Sequence, residues 1–212
     1  MAYTTTLACL GLVAALVHAE HAGWPIARVF FKLAASTCFV LLAWTLGATN
    51  SPYGQLILSA LLLGWLGDAL LLSDRPAAFM GGLGAFLLSH LVFAAAFLNG
   101  KVLWSAIALG LLLAMIVAFV VFRWLLPHTP ASFKSPVIVY VVVILLMCAA
   151  AIGHSSATGN WLVLSGALLF AASDIAVARE RFVHSALLNK LWGLPAYYVA
   201  QLLLAWSITG AR

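Results

Sequence analysis

Asp68 and Asp174 stand inside apolar stretches long enough to cross a bilayer, within LLLGWLGDALLL (61–72) and LLFAASDIAVA (168–178). Placing a carboxylate at membrane depth costs about 3 kcal/mol or more, so such a residue marks a functional site by default. Two of them at matched depth suit acid–base chemistry. One, as the acid, can give up a proton while the other, as the carboxylate, faces a developing positive charge.

The elements that must position them follow from composition. Two-thirds of the 212 residues are hydrophobic (66%) and only 7% are charged. A soluble domain of this size could not hide so much apolar surface, so the chain is an all-α, polytopic membrane bundle. It forms one transmembrane domain over 1–212. Apolar runs predict eight spans near 3–19, 29–48, 54–73, 77–98, 102–126, 136–153, 159–178 and 188–209. The first is expected to be a transmembrane helix rather than a cleaved signal peptide, because no basic segment precedes it.

The basic residues orient this arrangement. Arg28, Lys32, Arg75, Arg123, Lys134, Arg179, Arg181 and Lys190 fall at one set of loops, against Lys101 and Arg212 at the other. The positive-inside rule then puts both termini on the non-cytoplasmic side. The net charge of +5 is accounted for by this topology, with no patch suited to nucleic acid.

Asp68 and Asp174 are 106 residues apart, half the chain. Each follows a small residue, so a parallel duplication (1–106 and 107–212) is one reading of the match and coincidence is the other. Both acids fall near the cytoplasmic end of an outward-to-inward helix, roughly 8 Å in at 1.5 Å per residue. Lys32 and Tyr140, on helices entering from that side, share their layer. His90, Tyr197, Tyr198 and Gln201 extend a polar lining deeper, and only one of the adjacent tyrosines is expected to face the site. Pro195 is a candidate kink just before them.

Other polar residues have plainer readings. His18, His21, His128, His154 and His184 are expected at the interfaces and make no metal-binding pattern. Asp74 and Glu180 read as solvated loop charges, Cys9, Cys38 and Cys148 as packing residues, and the Gly81-Gly82-x-Gly84 cluster as room for close helix contact.

Five stretches bring these residues together: GDALLL (67–72), FMGGLGAFLLSHLVF (79–93), VIVYVVVILLM (137–147), GALLFAASDIAVARERF (166–182) and YYVAQLLLAW (197–206). In order and spacing, the set resembles the YhhN-like lysoplasmalogenase family of integral-membrane alkenyl-ether hydrolases. One departure is Leu33, where the family often has Pro after the lysine. The resemblance implies hydrolysis of the vinyl-ether bond of a lysoplasmalogen to a fatty aldehyde and a glycerophospho-ethanolamine or -choline. It also makes Asp68 and Asp174 the active-site pair.

Such a bond breaks by protonation of its β-carbon to an oxocarbenium ion, which water then captures. A carboxylate dyad sharing one proton can serve, with no cofactor or metal. Ser173 beside Asp174 favours Asp68 as the acid. The substrate is expected to be a lysophospholipid within the membrane, with Lys32, Arg179 or Arg181 at its phosphate and its tail passing Tyr197 and His90. No nucleic acid and no obligatory protein partner are implied. The expected location is a bacterial inner membrane, with the active-site layer near the cytoplasmic face.

Two other classes also use intramembrane acids. A proton-coupled transporter would place them nearer mid-membrane. An intramembrane aspartyl protease would need GxGD where this chain has GWLGD (64–68).

Overall fold

Proline and glycine mark where the helices begin and end. The computed structural model describes residues 1–73 and 75–211, without the side chain of Ala211. The eight helices are α1 (Ala2–Ala22), α2 (Pro25–Thr45), α3 (Pro52–Leu70), α4 (Pro76–Leu98), α5 (Trp104–Leu125), α6 (Ala131–Thr158), α7 (Trp161–Ala178) and α8 (Leu187–Trp206). Pro25, Pro52 and Pro76 open α2, α3 and α4, where the missing N–H costs nothing because no helical acceptor awaits it. Ser51 caps α3 by accepting a 3.0 Å bond from the Gly54 N–H. Gly23 and Gly159 take left-handed backbone (φ 68° and 75°) and stop α1 and α6. Asp74 and Arg212 lie outside the described residues.

All eight helices are long and apolar enough to cross a membrane, and no strand occurs among the described residues. The expected spans thus match in number, and the main difference is α6. It runs through Pro136 and on to Thr158, beyond the expected 136–153. Pro136 removes one backbone bond without breaking the helix, because the rest of the ladder and the packing around it hold. α8 likewise continues through Pro195.

Packing follows chain order with one exception. α1 packs on α2, α2 on α3 and α3 on α4; α4 then meets α6, which leads through α7 and α8 back to α1. α5 stands outside this circuit against α6, with most of its side chains facing outward. α8 is the most enclosed helix and also touches α2 and α3. Two bonds hold α1 to α8, one near each end: Lys190 Nζ to Glu20 Oε2 (2.9 Å) and Trp206 Nε1 to Thr6 Oγ1 (3.0 Å).

Bare glycine faces allow the closest approaches. A Cβ on Gly67 would come within 2.7 Å of the Phe86 ring, and one on Gly82 within 2.7 Å of Leu71. The glycine cluster therefore does pack helices closely at Gly82, whereas a Cβ on Gly84 would meet open space.

A polar knot ties the bundle at the end opposite the aspartates. His154 Nδ1 lies 2.9 Å from the Phe97 carbonyl and its ring stacks on Tyr53 at 5.6 Å. Tyr53 Oη bonds Ser207 Oγ (2.7 Å), and Asn160 Nδ2 donates to the Ser207 carbonyl (2.8 Å). His154 was expected at an interface, but it is buried. The expected span ended one residue short of it, whereas α6 carries it one turn further inside. Cys9 and Cys148 are buried, Cys38 is half-buried, and all three are free thiols.

Candidate active site

Each aspartate is met by side chains from two other helices. Asp68, on the last turn of α3, is only 2% exposed. Its Oδ1 lies 3.3 Å from Lys32 Nζ, and its Oδ2 accepts from Ser36 Oγ (2.7 Å) and Tyr197 Oη (2.8 Å). Lys32 and Ser36 are four residues apart and so share one face of α2. Tyr198 Oη stands 3.1 Å from both Ser36 Oγ and the Lys32 carbonyl. An ammonium and two hydroxyl donors thus surround the buried carboxyl group of Asp68.

Both adjacent tyrosines therefore serve the Asp68 nest, where only one was expected. The two rings touch, 4.9 Å between centroids, and α8 reaches both α3 and α2. Tyr197 reaches the aspartate on α3, while Tyr198 reaches its partner Ser36 on α2.

The nest around Asp174 is sparser. Its Oδ2 accepts from Tyr140 Oη of α6 (2.9 Å), and His90 Nε2 of α4 stands 3.5 Å away, too far for a strong hydrogen bond. No Lys or Arg lies within ion-pair distance among the described residues, and no bond engages Oδ1. The side chain is 17% exposed. Ser173 turns its hydroxyl to the Phe170 carbonyl (2.7 Å) rather than to its neighbour's carboxylate.

An aromatic wall runs along both nests, linking a partner of one to a partner of the other. Phe170, one turn before Asp174, packs on His90 (4.4 Å between centroids) and on Tyr197 (5.4 Å). Phe86 closes on Tyr197 from α4 at 5.8 Å. No hydrogen bond or ion pair joins the two carboxylates among the described residues, so each is governed by its own partners. Gln201, one turn beyond Tyr197, is fully buried and faces the bare Cα of Gly64 together with the Tyr197 hydroxyl.

Arg181 reaches neither nest. It lies over the Phe79 ring (4.3 Å), beside a cluster of Phe79, Phe133 and Phe182. Arg179 donates to Asn189 Oδ1 (3.3 Å). Glu180, read from sequence as a solvated charge, instead organises the α7–α8 turn. It accepts from Ser185 Oγ (2.6 Å), the Ala186 N–H (2.9 Å) and Asn189 Nδ2 (2.7 Å). The carboxylate thus stands at the N-terminal end of α8, where the helix dipole favours a negative charge.

Sequence reasoning missed Ser36 and Phe170. The signal for each was spacing: Ser36 is four residues after Lys32, and Phe170 is four before Asp174. No group of three or more His, Cys, Asp and Glu suited to a metal ion occurs among the described residues.

Comparison with known proteins bears on what these nests belong to. The sequence profile of the YhhN family matches residues 27–208, a stretch that takes in both nests. The chain belongs to the YhhN family. It is 30% identical to lysoplasmalogenase TMEM86A of Bos taurus over 182 residues, covering 81% of this chain and 73% of that one. Lysoplasmalogenase TMEM86B of Rattus norvegicus is 33% identical over 173 residues (80% and 68%). The Homo sapiens TMEM86B is 33% identical over 171 residues (80% and 70%). No solved structure matches the chain.

Proposed function

We propose that this protein is a lysoplasmalogenase, a membrane-embedded hydrolase that cleaves the vinyl-ether bond of lysophospholipids. The observation that carries the mechanism is the unequal solvation of the two aspartates. Asp68 has an ammonium and two hydroxyl donors, whereas Asp174, its side chain 17% exposed, has one phenol and an Oδ1 that makes no hydrogen bond among the described residues. The named lysoplasmalogenases among its relatives support the substrate class.

Asp174 is the proton donor in this account, reversing the assignment that Ser173 favoured in the sequence. Its Oδ1 protonates the β-carbon of the alkenyl chain, and the electron pair of the ether oxygen completes an oxocarbenium ion at the α-carbon. Asp68, held as the carboxylate by Lys32, stabilises that cation. Glycosidases divide the same labour between two carboxyl groups. Water adds at the α-carbon and returns a proton to Asp174. The resulting hemiacetal gives up its hydroxyl proton as the glycerol oxygen gains one, and the C–O bond breaks to release aldehyde and glycerol phosphodiester. The aromatic wall keeps other water from the cation.

The bias of eight basic residues against two supports placing the nests at the cytoplasmic end, with both termini on the other side. The test is aldehyde release from lysoplasmenyl-ethanolamine by the purified protein in detergent, beside D68N and D174N. Turnover that each substitution lowers by about a hundredfold or more is expected. No aldehyde from folded wild type would refute the proposal.

A further inference from the structure

Gln201 is a polar residue of the site to which the mechanism so far gives no work. It is fully buried on α8, yet neither amide atom makes a hydrogen bond of acceptable geometry among the described residues. Its Nε2 would lie 2.9 Å from a Cβ on Gly64, and the Tyr197 hydroxyl 3.4 Å from the same point. Gly64 is one turn before Asp68 on α3, and Gln201 one turn after Tyr197 on α8. The absence of a side chain at Gly64 thus seats the amide next to the Tyr197–Asp68 bond. Buried amides are satisfied by protein or by ordered water, and one left open beside a reacting centre is suited to hold a small polar molecule.

The chemistry supplies a reason for that molecule to be held. An oxocarbenium ion formed from a lysolipid has two nucleophiles within reach: water, and the substrate's own free sn-2 hydroxyl. Attack by the hydroxyl closes a five-membered cyclic acetal. The sn-2 oxygen bonds to the α-carbon, its proton returns to Asp174, and no water is consumed, so the substrate is merely isomerised. Hydrolysis requires water to win this competition inside a bundle that excludes bulk solvent.

We infer that Gln201 binds the hydrolytic water beside Asp68 and thereby directs the cation to aldehyde instead of cyclic acetal. The amide oxygen accepts one water proton, leaving a lone pair free to attack the α-carbon. The inference rests on the vinyl-ether hydrolase reading above.

The test is the product ratio of purified Gln201→Leu with lysoplasmenyl-ethanolamine, resolving aldehyde from cyclic acetal by NMR. The ratio of acetal to aldehyde is expected to rise about tenfold over wild type, the loss that follows removal of the water's hydrogen bonds. A substitution that only loosened the bundle would slow both products and leave the ratio unchanged. Gly64→Ala is the second variant. It keeps Gln201 but pushes on the end of its flexible amide, so a smaller rise is expected, and it decides the matter if Gln201→Leu does not fold. A ratio unchanged in the folded variants overturns the inference while leaving the hydrolase intact. Absence of aldehyde from wild type removes both together.

Discussion

Asp68 and Asp174 occupy equivalent places in the two halves of the chain, yet one nest is closed and the other open. Each aspartate takes a partner from the helix before it, α2 for Asp68 and α6 for Asp174. Each also faces the last helix of the other half: α8 supplies Tyr197, and α4 supplies His90. This exchange is the pattern that a parallel duplication of 1–106 and 107–212 would produce. Within the shared plan, Lys32 and Ser36 fill the first nest with donors, while a phenol and an imidazole leave the second with a free oxygen. Two similarly placed aspartates can thus become two different carboxyl groups, because the neighbours and not the aspartates set the roles.

The strongest way to break this comparison is at the open nest. D174N should lower aldehyde release by about 10³–10⁴, the upper part of the range for loss of a general acid. At the closed nest, D68N should cost about 10²–10³, as expected for a group that stabilises developing charge. K32M should fall in the same range, and K32M with D68N together should be little worse than either alone, because the pair acts as a unit. Equal effects of D68N and D174N on protonation of the β-carbon would erase the distinction.

Smaller changes sharpen it. Tyr140→Phe removes the one hydroxyl on Asp174 and should change turnover more than Ser36→Ala, whose loss leaves Asp68 with Lys32 and Tyr197. A fall of roughly tenfold against two- to threefold is expected in steady-state rates, because the carboxylate that Asp174 becomes on giving up its proton then has no hydroxyl donor, whereas Asp68 keeps two of its partners. The least effect on catalysis belongs to the opposite end. Tyr53→Phe removes a buried bond to Ser207 and should cost about 1 kcal/mol of stability, read as a lower thermal midpoint with turnover unchanged.

Much of this was legible in the sequence because charge is rare at membrane depth. Two acids inside apolar runs announced themselves, Lys32 and Tyr140 followed from shared depth, and His90 and Tyr197 were expected as a polar lining deeper in, whereas the structure brings both to the aspartates. Serine and phenylalanine carry no such signal. Ser36 is an ordinary residue of an apolar helix until its distance from Lys32 is noticed, and Phe170 reads as core. The separation of the carboxylates was not legible either, because matched depth says nothing of which face of a helix a residue occupies. Pro136 concealed the true start of α6, as the expected end near 153 concealed the burial of His154. Glu180 looked solvated because its partners, Ser185 and Asn189, lie across a turn whose shape the sequence does not state.

The central claim is that Asp174 protonates the β-carbon of a vinyl ether. The direct measurement is hydrolysis of lysoplasmenyl-ethanolamine in D₂O, with the aldehyde trapped as it forms and its label located by mass spectrometry. A single deuterium at C2 of the aldehyde, with no product from D174N, is the predicted result. Unlabelled aldehyde, or near-normal turnover by D174N, would contradict the account.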